Sequence, residues 1–207
     1  MKIQLSEVGK RYNQEWIFKN LNLDLQEGNA YVVLGSNGSG KSTLMQVIAG
    51  NQLPSVGSIS YWEKDALILP ENIFSYLSYA APYLELIEEY TLREMCQFHL
   101  QFKAFRNNMS CDELIEAMHL EKAKNKEIRN FSSGMKQRLR LALAVFSESA
   151  ILFLDEPTSN LDKSGVDWYN RIMQENIQNR ITLVASNHQS QEYGFCNAEI
   201  LVEQYKN

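Results

Sequence analysis

Gly35-Ser-Asn-Gly-Ser-Gly-Lys-Ser-Thr43 is the stretch that decides the reading of this chain. It fits the pattern of a glycine, four residues, then Gly-Lys-Ser/Thr, the spelling of a loop that cradles nucleotide phosphates. Glycines let the backbone curl so that successive N–H groups converge on one anion, with no Cβ in the way. Lys41 has the length to reach β- and γ-phosphates, and the Ser42 hydroxyl suits a Mg²⁺ shell. Gly35, Ser36, Asn37, Gly38, Ser39, Gly40, Lys41, Ser42 and Thr43 are therefore the expected nucleotide-binding set. The flanks agree. Ala30-Tyr-Val-Val-Leu34 is an apolar run of strand length, and Ser42–Ala49 puts Leu44, Val47 and Ile48 on one helical face before Gly50 stops it. Strand, glycine loop and helix start is the order an anion site needs, because the helix dipole then points its positive end at phosphate.

Working outward, the N-terminal residues 2–34 alternate apolar and polar in short runs (Ile3, Leu5, Val8; Leu21, Leu23, Leu25), which predicts antiparallel strands. Ile59–Trp62 and Leu67–Leu69 read as further strands. From Thr91 the texture turns helical. Thr91-Leu-Arg-Glu94 and Ser110-Cys-Asp-Glu113 are capping boxes, each opening a helix. Leu92, Met95, Cys96 and His99 share a face of the first, and Leu114, Ile115 and Met118 a face of the second. A long helix is expected over Met135 to about Ser147. The apolar strand Ala150–Leu154 then runs into Asp155-Glu156-Pro157. Ile181–Ala185 is another buried strand, ending at Ser186-Asn-His188, and Glu199–Glu203 supplies a closing one. Buried strands alternating with helices predict a mainly parallel α/β sheet.

Asp155 stands where open α/β sheets present ligand groups, at the carboxyl end of a buried strand. It is the expected partner of Ser42 in holding Mg²⁺, through a water. Glu156 is placed to polarise an attacking water. Taken alone, an Asp-Glu pair at a strand end is a solvated terminus, and the phosphate loop is what gives it meaning.

The order of these motifs resembles that of the ATP-binding-cassette (ABC) ATPases over nearly the whole chain. Phe131-Ser-Ser-Gly-Met-Lys-Gln-Arg138 is similar to that family's signature sequence. Physically it is a second helix N-terminus with Ser and Gly at its mouth, and so a second anion site. The resemblance implies one cassette domain over residues 1–207, a catalytic core over about 1–84 and 131–207, and a helical subdomain over about 85–130. It implies two copies packed head to tail, with Ser132, Ser133 and Gly134 of one closing on the nucleotide of the other. It also implies that Asp162 crosses that interface, that His188 is the switch histidine reading the γ-phosphate, and that Tyr12 stacks on adenine, with Trp16 a rival. ATP and Mg²⁺ are the implied ligands.

The family pattern is departed from in two places. Phe131, Ser133 and Met135 replace three of the five signature residues, although Ser132 and Gly134 remain. The glutamine that the family carries ahead of its helical lobe is missing: Tyr79-Ala-Ala-Pro82-Tyr-Leu-Glu85 puts Ala81 or Pro82 there. Water or Glu85 is the expected substitute.

Composition narrows the partners. A net charge of −5 offers no electrostatic case for nucleic acid. No apolar run reaches the roughly 18 residues that cross a bilayer, and Met1–Glu7 lacks a signal-peptide core, so the chain is expected at the cytoplasmic face of a membrane through a separate permease. Cys96, Cys111 and Cys196 follow no metal-ligand spacing and read as reduced thiols. The expected function is the ATP-hydrolysing subunit of an ABC transporter, leaning toward export. The alternatives are a soluble ABC protein of ribosomes or DNA, and an ATP-dependent clamp of low turnover; the acidic balance and single cassette weigh against the first.

Overall fold

Apolar alternation makes the first two strands a hairpin. In the computed structural model, which describes residues 1–206, β1 (Lys2–Tyr12) pairs antiparallel with β2 (Glu15–Gln26). The Tyr12–Glu15 pair leaves a tight turn whose Asn13 takes a left-handed φ of 53°, a conformation asparagine tolerates better than most residues. β4 (Val56–Glu63) joins the other edge of β1, and β5 (Ala66–Ile68) pairs with β4.

The second sheet is wholly parallel. Its order is β6 (Leu77–Ala80), β7 (Ile151–Asp155), β8 (Ile181–Ser186), β3 (Ala30–Leu34) and β9 (Ala198–Leu201). Every residue of β3, β7 and β8 is buried, as the unbroken apolar runs require of strands covered on both faces. Side chains alternate between two cores. Leu152 and Leu154 join a core with α4 (Ser133–Val145), α5 (Lys163–Asn176), α2 (Leu92–Leu100) and α3 (Cys111–Ala117). Ile151 and Phe153 face the other, built with α1 (Lys41–Ile48) and the antiparallel sheet.

α1 spans only eight residues, too few to hold together alone in water. Packing stabilises it: Leu44, Met45, Val47 and Ile48 are almost fully buried, each worth roughly 1.5–3 kcal/mol. The helix is pinned between the two sheets, and this fixes the direction of its N-terminus.

The expected elements form, with shifted ends. The closing strand is Ala198–Leu201, and Val202–Tyr205 turns into a 3-10 helix instead of extending it. The long helix begins at Ser133, two residues earlier than expected, because the Ser132 hydroxyl caps it by accepting from the Met135 N–H at 3.2 Å. Both capping boxes are present, at Thr91 with Glu94 and at Ser110 with Glu113. α5 has no counterpart in the sequence reading. The three thiols are free, and burial pushes Cys96 and Cys196 up to about 12.

Candidate active site

Three chain segments leave the parallel sheet at one edge. Leu34 pairs with Ser186 and Asp155 with Ala185, so β3, β8 and β7 end at the same level. With strands about 4.8 Å apart, the ends of β3 and β7 lie roughly 10 Å from one another across β8. The glycine loop, the Asp155-Glu156 pair and the Asn187-His188 pair therefore emerge side by side.

The loop is shaped by positions that need glycine. Gly38 and Gly40 take φ of 74° and 106°, and a Cβ on Gly40 would come within 2.5 Å of Ile17 Cγ2. The curl closes around Lys41, which is buried and donates from Nζ to the carbonyls of Gly35 at 2.9 Å and Ser36 at 3.1 Å. Lys41, Ser42 and Thr43 open α1, so their N–H groups have no intrahelical acceptor. The buried Ser39 Oγ also has no partner among the described residues. An anion-sized cradle with open donors is the result, and it fits a phosphate chain.

One carboxylate already touches this loop. Glu203 Oε1 accepts from the Ser36 N–H at 3.0 Å and from Ser36 Oγ at 2.7 Å, bonds that hold its pKa below the ordinary glutamate range. No side chain of the loop was expected to meet the segment after β9.

Asp155 is 2% exposed at the end of β7. The oxygen-only pair of Ser42 hydroxyl and Asp155 carboxylate suits a hard cation such as Mg²⁺, which keeps waters and takes substrate phosphates as ligands. Among the described residues no cluster of three or more His, Cys, Asp or Glu forms an all-protein cage. At the position of the missing glutamine, Ala81 is buried and apolar. Glu85, one of the two expected substitutes, is exposed and lines a neighbouring groove with Leu84, Met95 and Phe102. The hydroxyl that reaches Asp155 is that of Tyr83, 3.0 Å from Oδ2, and Tyr83 in turn meets the Tyr79 hydroxyl at 2.6 Å.

Glu156 lines a polar cavity of about 300 Å³ together with Asn37 of the loop, Thr158, Asn187, Gln189 and Glu192. Its φ of 45° is left-handed, as is the 55° of His188. Such conformations cost of order 1–3 kcal/mol in non-glycine residues and gather where function fixes the backbone. His188 is exposed and does not line this cavity; it lies within electrostatic reach of Glu203. Glu192, unmarked in the sequence, organises the cavity's far wall. Buried to 2% exposure, it accepts from the Thr158 N–H at 3.2 Å, from Thr158 Oγ1 at 2.8 Å and from the Ser186 hydroxyl. Burial raises its pKa, and those bonds pull it partly back.

The signature residues gather elsewhere. Ser132, Ser133 and Gly134 line a second cavity with Asn160, Leu161 and Asp162. Asp162 caps α5 by accepting from the Gly165 N–H at 2.8 Å, a bond that lowers its pKa. The two cavities share no residue, and the loop 156–162 runs from one to the other. Gln137, fully buried in α4, fixes that loop by donating to the Pro157 carbonyl at 3.0 Å. Tyr12 is 46% exposed, with its hydroxyl on Gln52 Oε1 at 2.6 Å. Trp16 is covered by Arg11 on one side and packs against Gly9, whose added Cβ would lie 2.9 Å from the indole.

Comparison with known proteins agrees with this geometry. The family model described as ABC transporter matches residues 18–159. An uncharacterized ABC transporter ATP-binding protein of Bacillus subtilis, YcbN, is 28% identical over 195 residues, covering 90% of this chain and 61% of the relative. The bacitracin transport ATP-binding protein BcrA of Bacillus licheniformis is 28% identical over 187 residues, with the same two coverages of 90% and 61%. The chain thus spans 61% of the length of either relative. Among solved structures, a dimeric ATP-binding cassette in a post-hydrolysis state with ADP and Pi superimposes with a TM-score of 0.80 at 23% identity, covering 97% of this chain and 95% of that one.

Proposed function

This chain belongs to the ABC transporter family, and we propose that within it the chain binds and hydrolyses ATP to energise transport through a separate membrane permease. The observation that carries the reading is the shared cavity: Asn37 of the glycine loop and Glu156 of the β7 end line the same polar space, beside Asp155. Lys41 neutralises β- and γ-phosphate charge, as an ammonium caged at the head of α1 is suited to do. Ser42 and Asp155 would hold Mg²⁺, which when bound would supply positive charge to the phosphates. Glu156 takes a proton from the attacking water. His188, one residue beyond Asn187, steadies the γ-phosphate. Tyr12 offers the more exposed ring for adenine.

Closure takes two copies. The cavity of Ser132, Ser133, Gly134 and Asp162 is distinct from the one that holds Glu156, so each copy completes the other's site. That the solved cassette with ADP and Pi is dimeric supports the arrangement. Residues of about 85–130 form the lobe that meets the permease, next to the partly apolar groove lined by Leu84, Met95 and Phe102. No described helix is long and apolar enough to cross a membrane, which is consistent with attachment to the inner face through that permease.

The test is Glu156→Gln. Steady-state turnover of the pure protein should fall about 100-fold or more, the scale of a lost general base, while ATP affinity holds. ATP should then trap a dimer on gel filtration. Wild-type protein with no turnover above background would favour the ATP-dependent clamp, and loss of Lys41 without loss of ATP affinity would remove the reading altogether.

A further inference from the structure

The stretch between β6 and α2 carries a feature that the family pattern does not supply. Tyr79 lies on β6 opposite Phe153 of β7, and the two rings meet edge to face with centroids 6.2 Å apart. This fixes the Tyr79 hydroxyl relative to β7, the strand that ends in Asp155. The turn that follows is pinned as well: the Leu84 N–H donates to Ala81 O at 3.1 Å, and Arg140 Nε donates to Leu84 O at 2.7 Å. Tyr83 is held between these anchors, half exposed, with its hydroxyl 2.6 Å from that of Tyr79 and 3.0 Å from Asp155 Oδ2.

The chemistry of the groups sets the direction of both bonds. An ionised carboxylate only accepts, so the single Tyr83 proton goes to Asp155. Tyr79 must then donate to Tyr83. The result is an ordered relay, Tyr79 to Tyr83 to Asp155. Tyr83 makes the side-chain hydrogen bond to Asp155; burial raises the pKa of Tyr79, which lies near enough for that carboxylate to add to the rise.

We infer that Tyr83, backed by Tyr79, is a positioning residue that orients the Asp155 carboxylate for the divalent cation, where Ala81 and Pro82 offer no ligand of their own. Asp155 Oδ2 accepts from the phenol, so Oδ1 would be the oxygen open to the cation or its waters. The inference rests on the proposed ATP-binding reading of the same site. It differs from a glutamine-type site because the organising group acts through the aspartate and contributes no side-chain amide oxygen.

The experiment uses the full chain and the variants Tyr83→Phe and Tyr79→Phe, which keep both rings and remove one hydroxyl each. ATP binding is measured by calorimetry in EDTA. Binding of Mn²⁺ to the ATP-loaded protein is then followed by electron paramagnetic resonance. Tyr83→Phe should leave metal-free ATP affinity unchanged and weaken Mn²⁺ binding by about ten- to a hundredfold, the range expected for one hydrogen bond to a charged group. Tyr79→Phe should weaken it by a smaller factor, and should add nothing in the Tyr83→Phe background, since its effect passes through Tyr83. In turnover, the Mg²⁺ half-saturation should rise by the same factor while the rate at saturating Mg²⁺ stays near wild type.

Unchanged Mn²⁺ affinity in Tyr83→Phe overturns the inference, as does a double variant whose losses simply multiply. A Lys41→Ala control separates the two levels. If it abolishes ATP binding while Tyr83→Phe is silent toward metal, only the relay falls. If it binds ATP normally, the proposed function falls with it.

Discussion

His99 shows how one side chain sets a pH limit. Its ring stacks on Phe105 with centroids 5.3 Å apart, and Nε2 lies 2.7 Å from Ser147 Oγ. Because Ser147 spends its proton on the Leu143 carbonyl, the imidazole must donate, so the Nε2–H tautomer is the resident one. Burial, with help from the Lys103 charge, lowers its pKa from 6.5 to about 4. The unfolded chain therefore takes a proton between those values that the folded chain refuses. Stability is complete above pH 6.5 and drains as pH falls toward 4, by on the order of 2–3 kcal/mol from this residue. Urea midpoints of wild type and His99→Phe, measured from pH 7 down to 4.5, should converge with the variant the less acid-sensitive. Parallel curves would remove the assignment.

The elements divide into those legible in the sequence and those that packing alone decides. β3, β7 and β8 announce themselves as unbroken apolar runs, and α2 and α3 as capping boxes followed by a helical stripe. α5 does not. Gly165, Val166, Trp168, Tyr169 and Asn170 are mediocre helix formers, and the helix exists because Trp168, Tyr169, Ile172 and Met173 find a shared core. Caps also separate structure from function. Thr91→Ala and Ser132→Ala each remove a hydroxyl cap and should each cost about 1 kcal/mol in thermal or urea unfolding. Only Ser132→Ala should also weaken the ATP-dependent dimer, as read by gel filtration in the Glu156→Gln background. Equal dimer loss in both would mean that the effect is helix stability alone.

Across the molecule, the residues proposed for the chemistry could be named from sequence because their spacing is set by local backbone physics: the glycine loop, Asp155-Glu156 and the Ser132 cap. The missed ones act over long sequence distances. Glu192 meets Thr158 from 34 positions away, Tyr83 meets Asp155 from 72, and Glu203 meets Ser36 from 167. Only the sheet order 6-7-8-3-9 makes them neighbours. Glu192 joins the loop that carries Glu156 to the one that carries His188, so Glu192→Ala should reduce turnover about tenfold or more while leaving ATP binding within about twofold, by analogy with other broken buried networks. A proportional drop in ATP affinity would locate its effect in the phosphate loop instead. Finally, Glu156 and His188 both occupy backbone conformations that asparagine or glycine would accept with less strain. With the roles proposed for Glu156 and His188, heat resistance and catalysis pull these codons in opposite directions. A population of variants enriched solely for survival at high temperature should drift toward Asn or Gly at both positions and become tougher, nucleotide-holding shells with the engine removed.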